Sequence, residues 1–363
     1  MKTSLSASAR PQLKSGIIVL PYGENTYIGF SDHGIEFEGV HVRPIVAALT
    51  GNQTCQEIHE SLGYDLDLLT SLVVELDSLH FLDTTKSSIT LQDRFHSPSA
   101  HRQSHIVDNS HDATFQQIQT RIRPELTLTT WLPNVDDGGV SHINARQDCD
   151  VRIYGSSRIA SILYGILLSS GVSNTRLTTQ THSPLISELD LCAGIFRPSD
   201  IGASFEDRAC TLGKELSLFP INPPSPRNAI AINVGAPDPE LLQEWMSECT
   251  PHLFIEDPEC ASLILGPFVV PGTTPCWRCT VLTKDDEYIA WKQVQWERRI
   301  SPHSETPVSV AHYVAGLAAL EILRFIDTQH SDLLGSTLRV NYLAANETER
   351  RRFSFHPACG CHW

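Results

Sequence analysis

The first 80 residues alternate short apolar runs with turn residues and then change to helical spacing. Three strands are predicted over 17–20, 27–30 and 34–37, because apolar runs there are bounded by Pro, Gly, Asn and Asp. Three helices are predicted over 42–49, 54–62 and 65–80. Thr54 and Glu57 form a capping box at the start of the second helix. The order of three strands and three helices predicts a small winged-helix-like α+β module.

The third predicted helix carries an apolar stripe wider than one neighbouring element requires. Its apolar residues at 66, 68, 69, 72, 73, 76 and 79 cover about 160° of the helix, whereas packing on one neighbour needs about 100°. Either the helix is buried between two neighbours, or one margin lines a peptide groove. That margin would be Leu66 with Val73, or Leu68 with Leu79.

The last predicted strand offers a second feature for peptide binding, because an unpaired sheet edge can accept an added strand. The candidate edge residues are Gly34, Ile35, Glu36 and Phe37. Backbone hydrogen bonds would give affinity, and alternate side chains in the groove beside Leu66 and Val73 would give specificity.

Residues 85–148 are polar and separate this module from the rest of the chain. Four of its histidines lie close together: His96, His101, His105 and His111. Their spacings of five, four and six fit no single helix face, so we expect a polar linker and no metal site. One β-rich run over 126–132 predicts a strand.

From residue 149 onward, strand and helix patterns alternate as in a parallel α/β sheet. Strands are predicted over 151–154, 175–179, 229–234, 252–256, 263–270 and 336–343, and the main helices over 158–170, 239–248 and 308–327. The predicted organisation is a recognition module at 1–84, a linker at 85–148 and a Rossmann-type α/β domain at 149–363.

The loop after the first strand of this domain resembles a phosphate-binding loop that has lost key residues. Gly155 is the first glycine of a G-x-G-x-x-G motif, and Ala160 is an accepted third member. However, Ser157 places a Cβ where close approach of a phosphate requires none, and no acidic residue follows near Thr179. We therefore expect Gly155, Ser157 and Ala160 to be an inherited scaffold without nucleotide binding.

Charge and hydropathy argue against three classes of protein: nucleic-acid binders, membrane-spanning proteins and secreted proteins. The formal net charge of −15 argues against a nucleic-acid binder, whose affinity rests on neutralising phosphates. The longest apolar run, 159–168, is too short for a membrane helix, and the first residues lack the apolar core of a signal peptide. A cytoplasmic location is the expectation.

Two cysteine pairs carry the strongest chemical signal. Cys276 and Cys279 form a C-x-x-C knuckle, and Cys359 and Cys361 form a C-x-C pair near the end. Four thiolates brought together would complete a tetrahedral, structural Zn²⁺ shell. Three alternatives stay open: His356 or His362 could replace one thiolate, or the pairs could be unrelated or redox-active. A thioredoxin-like role is disfavoured because no helix is predicted to begin at Cys276.

The residues contain no convincing catalytic constellation. Glu256 and Asp257 end a predicted strand and could act as a carboxylate pair, but a solvated strand end explains them as well.

The run from Gly266 to Cys279, G-P-x-x-x-P-G-x-x-P-C-x-x-C, and the ending His356-Pro-Ala-Cys-Gly-Cys361 resemble a specific family. It is the ThiF-like C protein of thiazole/oxazole-modified peptide biosynthesis, and the N-terminal module is similar to its RiPP recognition element. The resemblance implies a non-catalytic, activating subunit that binds a precursor's leader peptide. It would present the core to a separate YcaO cyclodehydratase, which uses ATP to form azolines from Cys, Ser and Thr.

The same resemblance brings further partners and two alternatives. A flavin-dependent azoline dehydrogenase and a second copy of the chain are the other partners to consider. The main alternative is an active ThiF-like enzyme that adenylates a peptide with ATP, against which the degenerate Gly155 loop argues. A winged-helix DNA regulator is disfavoured by the negative charge.

Overall fold

A computed structural model describes residues 6, 8–31, 33–86, 109–179, 183–219, 228–259, 261–291, 293–294, 297, 305–344 and 348–361. The chain divides into two compact units, Met1–Asn144 and Ala145–Trp363.

The N-terminal unit contains the three predicted strands, as β2, β3 and β4, and the three predicted helices. Its strands are β1 Gln12–Leu13, β2 Ile18–Tyr22, β3 Asn25–Phe30, β4 His33–Phe37 and β5 Leu82–Asp83, and its first helices are α1 Val42–Ala48, α2 Cys55–Leu62 and α3 Leu66–Ser78. Strands β2, β3 and β4 form an antiparallel sheet in that order, and β1 pairs with β5. The capping box is confirmed: the Thr54 hydroxyl accepts from Glu57 N, and the Glu57 carboxylate accepts from Thr54 N.

Most of the wide apolar stripe on α3 is core. Leu69, Val73 and Leu76 are completely buried in a cluster that includes Ile28 and Ile58. The prediction that Val73 lines a groove is therefore wrong, because α3 packs against both α2 and β5. Three members of the stripe stay at least partly accessible: Leu66, Leu68 and Leu79.

The polar stretch before residue 149 contains helices where a strand was predicted. Helix α4 runs over Asn109–Thr129 and α5 over Val140–Gln147. The β-branched residues that suggested a strand are accommodated because the hydroxyls of Thr127 and Thr129 donate to carbonyls four residues earlier. The predicted linker histidines 96, 101 and 105 lie outside the described residues.

A buried lysine ties this stretch to the rest of the N-terminal unit. Lys14 is only 4 % exposed, and its ammonium donates to the carbonyls of Thr130, at 2.7 Å, and Val135, at 2.9 Å. Asp83 lies 3.8 Å from the same nitrogen. Burial raises the pKa of Asp83, and the Lys14 charge opposes that rise.

The C-terminal unit is built on a seven-stranded mixed sheet. Its strands are β6 Asp150–Tyr154, β7 Asn174–Thr178, β8 Ala229–Val234, β9 His252–Ile255, β10 Ser262–Val269, β11 Ser336–Asn341 and β12 Thr348–Arg352. Its later helices are α6 Arg158–Ser169, α7 Phe205–Leu216, α8 Pro239–Ser247, α9 Trp277–Glu287 and α10 Val308–Thr328. The sheet order is β12-β11-β10-β9-β8-β6-β7.

Strand direction corrects the expectation of a parallel sheet. Strands β7, β6, β8 and β9 are parallel, whereas β10, β11 and β12 add in antiparallel fashion. Hydrophobic patterns report which residues are buried and carry no information on strand direction. The edge strand β12 was not predicted, because Thr348–Arg352 is wholly polar and mostly exposed and so has no hydrophobic pattern.

Helix α10 meets the length and composition of a membrane span, contrary to the sequence expectation, but half of its apolar window is buried within the unit. Its buried face includes Ala311, Ala315 and Ala318, small side chains that let α10 pack closely against α6. It serves as a core helix here.

A fully buried ion pair holds the end of α10. The Arg146 guanidinium donates to both carboxylate oxygens of Asp327, at 2.9 and 2.6 Å, and also to the Ser170 carbonyl at 2.9 Å. Both side chains are at most 3 % exposed. This bidentate geometry satisfies two charges that would otherwise be costly to bury.

Candidate metal centre, phosphate loop and peptide edge

The two cysteine pairs meet on one side of the C-terminal sheet. Cys276 occupies the N-cap position of α9 and Cys279 follows within its first turn, with 3.9 Å between the two sulfurs. The expectation that no helix begins at Cys276 is therefore wrong. Cys359 and Cys361 come from the segment after β12, and their sulfurs lie 3.4 Å from those of Cys276 and Cys279 respectively.

The four sulfurs have the spacing of a tetrahedral thiolate site. All four lie within 4.8 Å of one another, and none forms a disulfide. A tetrahedron of thiolates with metal–sulfur bonds of about 2.3 Å has sulfur–sulfur edges of about 3.8 Å. The cluster can therefore hold a metal ion with little rearrangement.

Burial makes the thiolate form of two of these cysteines unfavourable unless a positive charge lies nearby. Burial raises the pKa of the Cys276 thiol, and it raises the pKa of Cys359 to about 11. Deprotonating these two thiols without a counter-charge is thus unfavourable, and a divalent cation would supply that charge. Four sulfur ligands leave no open coordination position, so the arrangement suits a structural role.

His356 supports the cluster from outside the sulfur set. Its Nε2 lies 2.9 Å from the Asp286 carboxylate, and its Nδ1 accepts from the Ala358 amide at 3.2 Å. Its own backbone amide donates to the Cys279 sulfur at 3.4 Å. Because both ring nitrogens are engaged, His356 does not replace a thiolate. His362 lies outside the described residues.

In the loop after β6, Gly155 allows the backbone to pack closely against the neighbouring strand β8. Gly155 has φ of +147°, and a Cβ there would lie 2.7 Å from the Val234 carbonyl of the neighbouring strand. Ser157 caps α6, with its hydroxyl accepting from the Ala160 amide at 3.4 Å. One amide that a phosphate would use is thus already bonded within the chain.

Arg158 and Glu206 complete the surroundings of this loop. The Arg158 guanidinium donates to the carbonyls of Leu189 and Thr306. The Glu206 carboxylate on α7 accepts from both the amide and the hydroxyl of Thr179, just after β7. A carboxylate therefore does lie beside Thr179, where the local sequence has none. It belongs to Glu206, 27 residues further along the chain, so no local motif could predict it.

The carboxylates at the end of β9 form no evident catalytic pair. Glu256 lies 3.7 Å from the Lys284 ammonium of α9, an ion pair at the strand end. The Asp257 carboxylate lies beside the Gly235 Cα, where a Cβ would be 3.3 Å from it.

Strand β4 presents two residues for strand addition. Among the described strands, β4 pairs with β3 alone. The Phe30–His33 pair closes a two-residue connection, and hydrogen-bonded and non-hydrogen-bonded pairs alternate from there. Ile35 and Phe37 therefore bond to β3, whereas the backbone groups of Gly34 and Glu36 point away from the sheet. The edge predicted from Gly34 to Phe37 thus has two outward-facing residues, and Leu66 on α3 is half-buried.

Solved structures with a similar fold were found, although no sequence family matches. No protein-family model and no curated sequence matches the chain. Among solved structures, E. coli MccB with ATP matches at TM-score 0.63 and 14 % identity over 97 % of this chain and 99 % of that one. MccB, the microcin C7 biosynthetic enzyme, in complex with N-formylated MccA matches at TM-score 0.61 and 14 % identity, with the same coverage.

A second neighbour is the heterocyclase TruD. It matches at TM-score 0.57 and 15 % identity, with 98 % of this chain aligned to 43 % of TruD. These identities show the fold alone. The chain has the mixed α/β, ThiF-like fold that MccB has, which confirms the expected fold at that level.

Proposed function

We propose that this chain binds the leader of a ribosomally made precursor peptide and presents its core to a YcaO cyclodehydratase, which forms azolines from Cys, Ser and Thr. The observation that carries the proposal is the edge of β4, which among the described strands pairs with β3 alone, in a fold shared over 97 % of the chain with MccB, which has been solved with MccA. The resemblance to TruD, a heterocyclase, favours azoline formation as the reaction served. We assign strands β2–β4 and helices α1–α3 to a winged-helix RiPP recognition element.

The two edges of the N-terminal sheet differ in a way that selects β4. Strand β2 also lies at an edge, but Pro21 takes one of its outward-facing positions and has no N–H to donate. Strand β4 has no proline, so Gly34 and Glu36 offer both donors and acceptors. An extended leader bound there would gain several backbone hydrogen bonds with little demand on its sequence.

Leader binding is tested by fluorescence polarisation with the labelled leader of a candidate precursor, to be sought as a short reading frame rich in Cys, Ser and Thr near this gene. Glu36→Pro removes an outward donor and should weaken binding about tenfold. Val19→Pro removes an outward N–H from the opposite edge and is the matched control. Glu36→Ala controls for loss of the side-chain bond from Asn25, which is 2.9 Å long. Equal binding by folded Glu36→Pro and parent proteins would rule out the β4 edge.

Zinc is the metal proposed for the sulfur cluster, because four thiolates in a closed tetrahedral set suit Zn²⁺. When bound, it would supply structural cross-linking between α9 and the C-terminal segment. Metal analysis of purified protein should give one zinc per chain. Cys279→Ser should lose the metal and much of the stability of its unit, whereas Cys210→Ser, at an exposed cysteine, should keep both.

ATP is assigned to the YcaO partner, so the isolated chain should show no ATP–pyrophosphate exchange. The second candidate function is ATP-dependent adenylation of a peptide by this chain itself. It is favoured by the MccB structure with ATP and by the Glu206 carboxylate beside Thr179. Peptide-dependent exchange without a YcaO protein would establish this second function. A cytoplasmic location and a flavin-dependent dehydrogenase acting afterwards belong to the first.

A further inference from the structure

One edge of the C-terminal sheet is an arginine-rich strand that takes no part in the function proposed above. Among the described strands, β12 pairs with β11 alone. Its five residues, Thr348–Arg352, include three arginines, in a chain whose net charge is −15. Because an edge strand exposes backbone groups that no neighbour uses, β12 can accept a further strand.

One backbone hydrogen bond fixes which groups of β12 face outward. Phe353 N, just after the strand, donates to the Gly335 carbonyl at 3.0 Å, in the register that pairs β12 with β11. The backbone groups of successive residues point to opposite sides of a strand, so Arg351 also bonds to β11. The N–H and C=O groups of Arg350 and Arg352 therefore point away from the sheet.

The side chains of these two arginines lie on the face of the sheet that packs on α10. Arg350 pairs with Leu338 of β11, which belongs to the core cluster that contains α10. The Arg350 guanidinium lies 3.5 Å from the Asp332 carboxylate, and Arg324 of α10 lies 3.1 Å from the same group. Arg352, two residues further along β12, is exposed and has no ion-pair partner among the described residues.

The described charges on this face sum to a positive value. Three arginines, Arg324, Arg350 and Arg352, lie near two carboxylates. One carboxylate is that of Asp332, and the other is that of Glu321, which accepts from the Asp332 amide at 2.9 Å. The guanidinium of Arg352 is therefore available to an acidic partner.

The negative groups near β12 that remain lie on the opposite face of the sheet. Glu349 and Arg351 alternate with the two outward-facing arginines, and Arg351 forms an ion pair with Glu287 of α9. The four cysteine sulfurs belong to a cluster with residues of α8 and α9 on that same face. The sheet therefore separates the charge of the sulfur cluster from the arginines that face α10.

We infer that β12 accepts an extended acidic segment of a partner protein, which adds antiparallel to the edge of the sheet. The backbone of the segment bonds to Arg350 and Arg352, and its acidic side chains, opposite these residues, pair with the two guanidinium groups. A second copy of this edge is disfavoured as the occupant, because each edge has three arginines and one glutamate and two such edges repel. The site does not depend on leader binding at β4.

The charge preference is tested with the full-length protein and two fluorescein-labelled heptapeptides. In one, three glutamates alternate with valines, and in the other, glutamines replace the glutamates. Fluorescence polarisation at low salt should show about fivefold tighter binding of the glutamate peptide, the size expected of two exposed ion pairs. The net charge of −15 acting alone would give the reverse order. Arg352→Gln should reduce the preference to about twofold, whereas Arg43→Gln, at an exposed arginine on α1, should keep it.

Backbone methylation of the glutamate peptide tests strand addition independently of charge. In the antiparallel arrangement each glutamate opposite Arg350 or Arg352 donates its own N–H to β12, whereas the N–H groups of the valines point away. N-methylation of the glutamates should therefore weaken binding at least tenfold, and N-methylation of the valines less than twofold. Glu36→Pro should leave these affinities unchanged, which separates this site from the β4 edge. Equal affinity of the parent protein for the glutamate and glutamine peptides, or equal effects of the two methylations, would overturn the inference.

Discussion

The buried ring of His252 makes acid stability a quantitative test of the packing on β9. Burial lowers the pKa of His252 to about 4, and the hydrogen bond to the Thr250 carbonyl only partly opposes that shift. The unfolded chain would take up a proton near the ordinary pKa of about 6.5, whereas the folded chain would not until about 4. Stability from this residue is therefore complete above pH 6.5 and is lost as the pH falls towards 4.

The expected loss follows from the two pKa values. At about 1.4 kcal/mol for each pH unit between them, His252 should cost about 3 kcal/mol of unfolding free energy between pH 7 and pH 4. His252→Asn removes this titration while keeping a side-chain N–H for the Thr250 carbonyl. The variant starts from lower stability at pH 7, because it loses the ring between Trp245 and Phe254, but this offset does not vary with pH.

Urea denaturation followed by tryptophan fluorescence, at half-unit steps from pH 7 to pH 4, measures both proteins. Acid also protonates the cysteine cluster and the surface carboxylates, but these groups are common to parent and variant and cancel in the difference. The gap between the two stabilities should shrink by about 3 kcal/mol across the range. Parallel curves, or an NMR titration of folded His252 near pH 6.5, would refute this account of the site.

Three further predictions concern stability. Arg146→Leu leaves the Asp327 carboxylate buried and unpaired, and should lower the unfolding free energy by about 3–5 kcal/mol in urea titrations. An equal loss at pH 2 and pH 7 would contradict the charge argument. Gly155→Ala should cost about 1–3 kcal/mol by thermal unfolding, because its Cβ meets the Val234 carbonyl, and an unchanged melting temperature would mean the strands adjust freely. Thr54→Ala removes the capping box of α2 and should lower the unfolding free energy by about 1 kcal/mol. Thr54→Ser keeps a capping hydroxyl and should retain the parent stability.

The elements from β2 to α3 could be predicted because hydrophobic periodicity and capping residues act over a few positions. Strands β2, β3 and β4, the capping box at Thr54 and the start of α6 at Arg158 all follow from neighbouring residues. The two cysteine pairs were also recognisable, since each pair is set by local spacing.

Contacts between distant segments required the tertiary structure. Pattern analysis could not orient the stripe on α3, because a helical wheel has no absolute direction, and the packing of α2 and β5 buried Val73. It could not place Glu206 beside Thr179, because α7 brings that carboxylate from another part of the chain.

The sequence by itself determined which residues seek the core, where α2 and α6 begin, and which side chains could serve as metal ligands. Only the tertiary structure decided that β10–β12 run antiparallel, that the sulfurs of Cys276 and Cys359 lie 3.4 Å apart, and that Gly34 and Glu36 face outward from β4. The physical reason is that the face of a helix or strand on which a side chain lies is set by its position in the local sequence. Strand direction, pairing register and the meeting of remote ligands instead depend on how whole elements pack together.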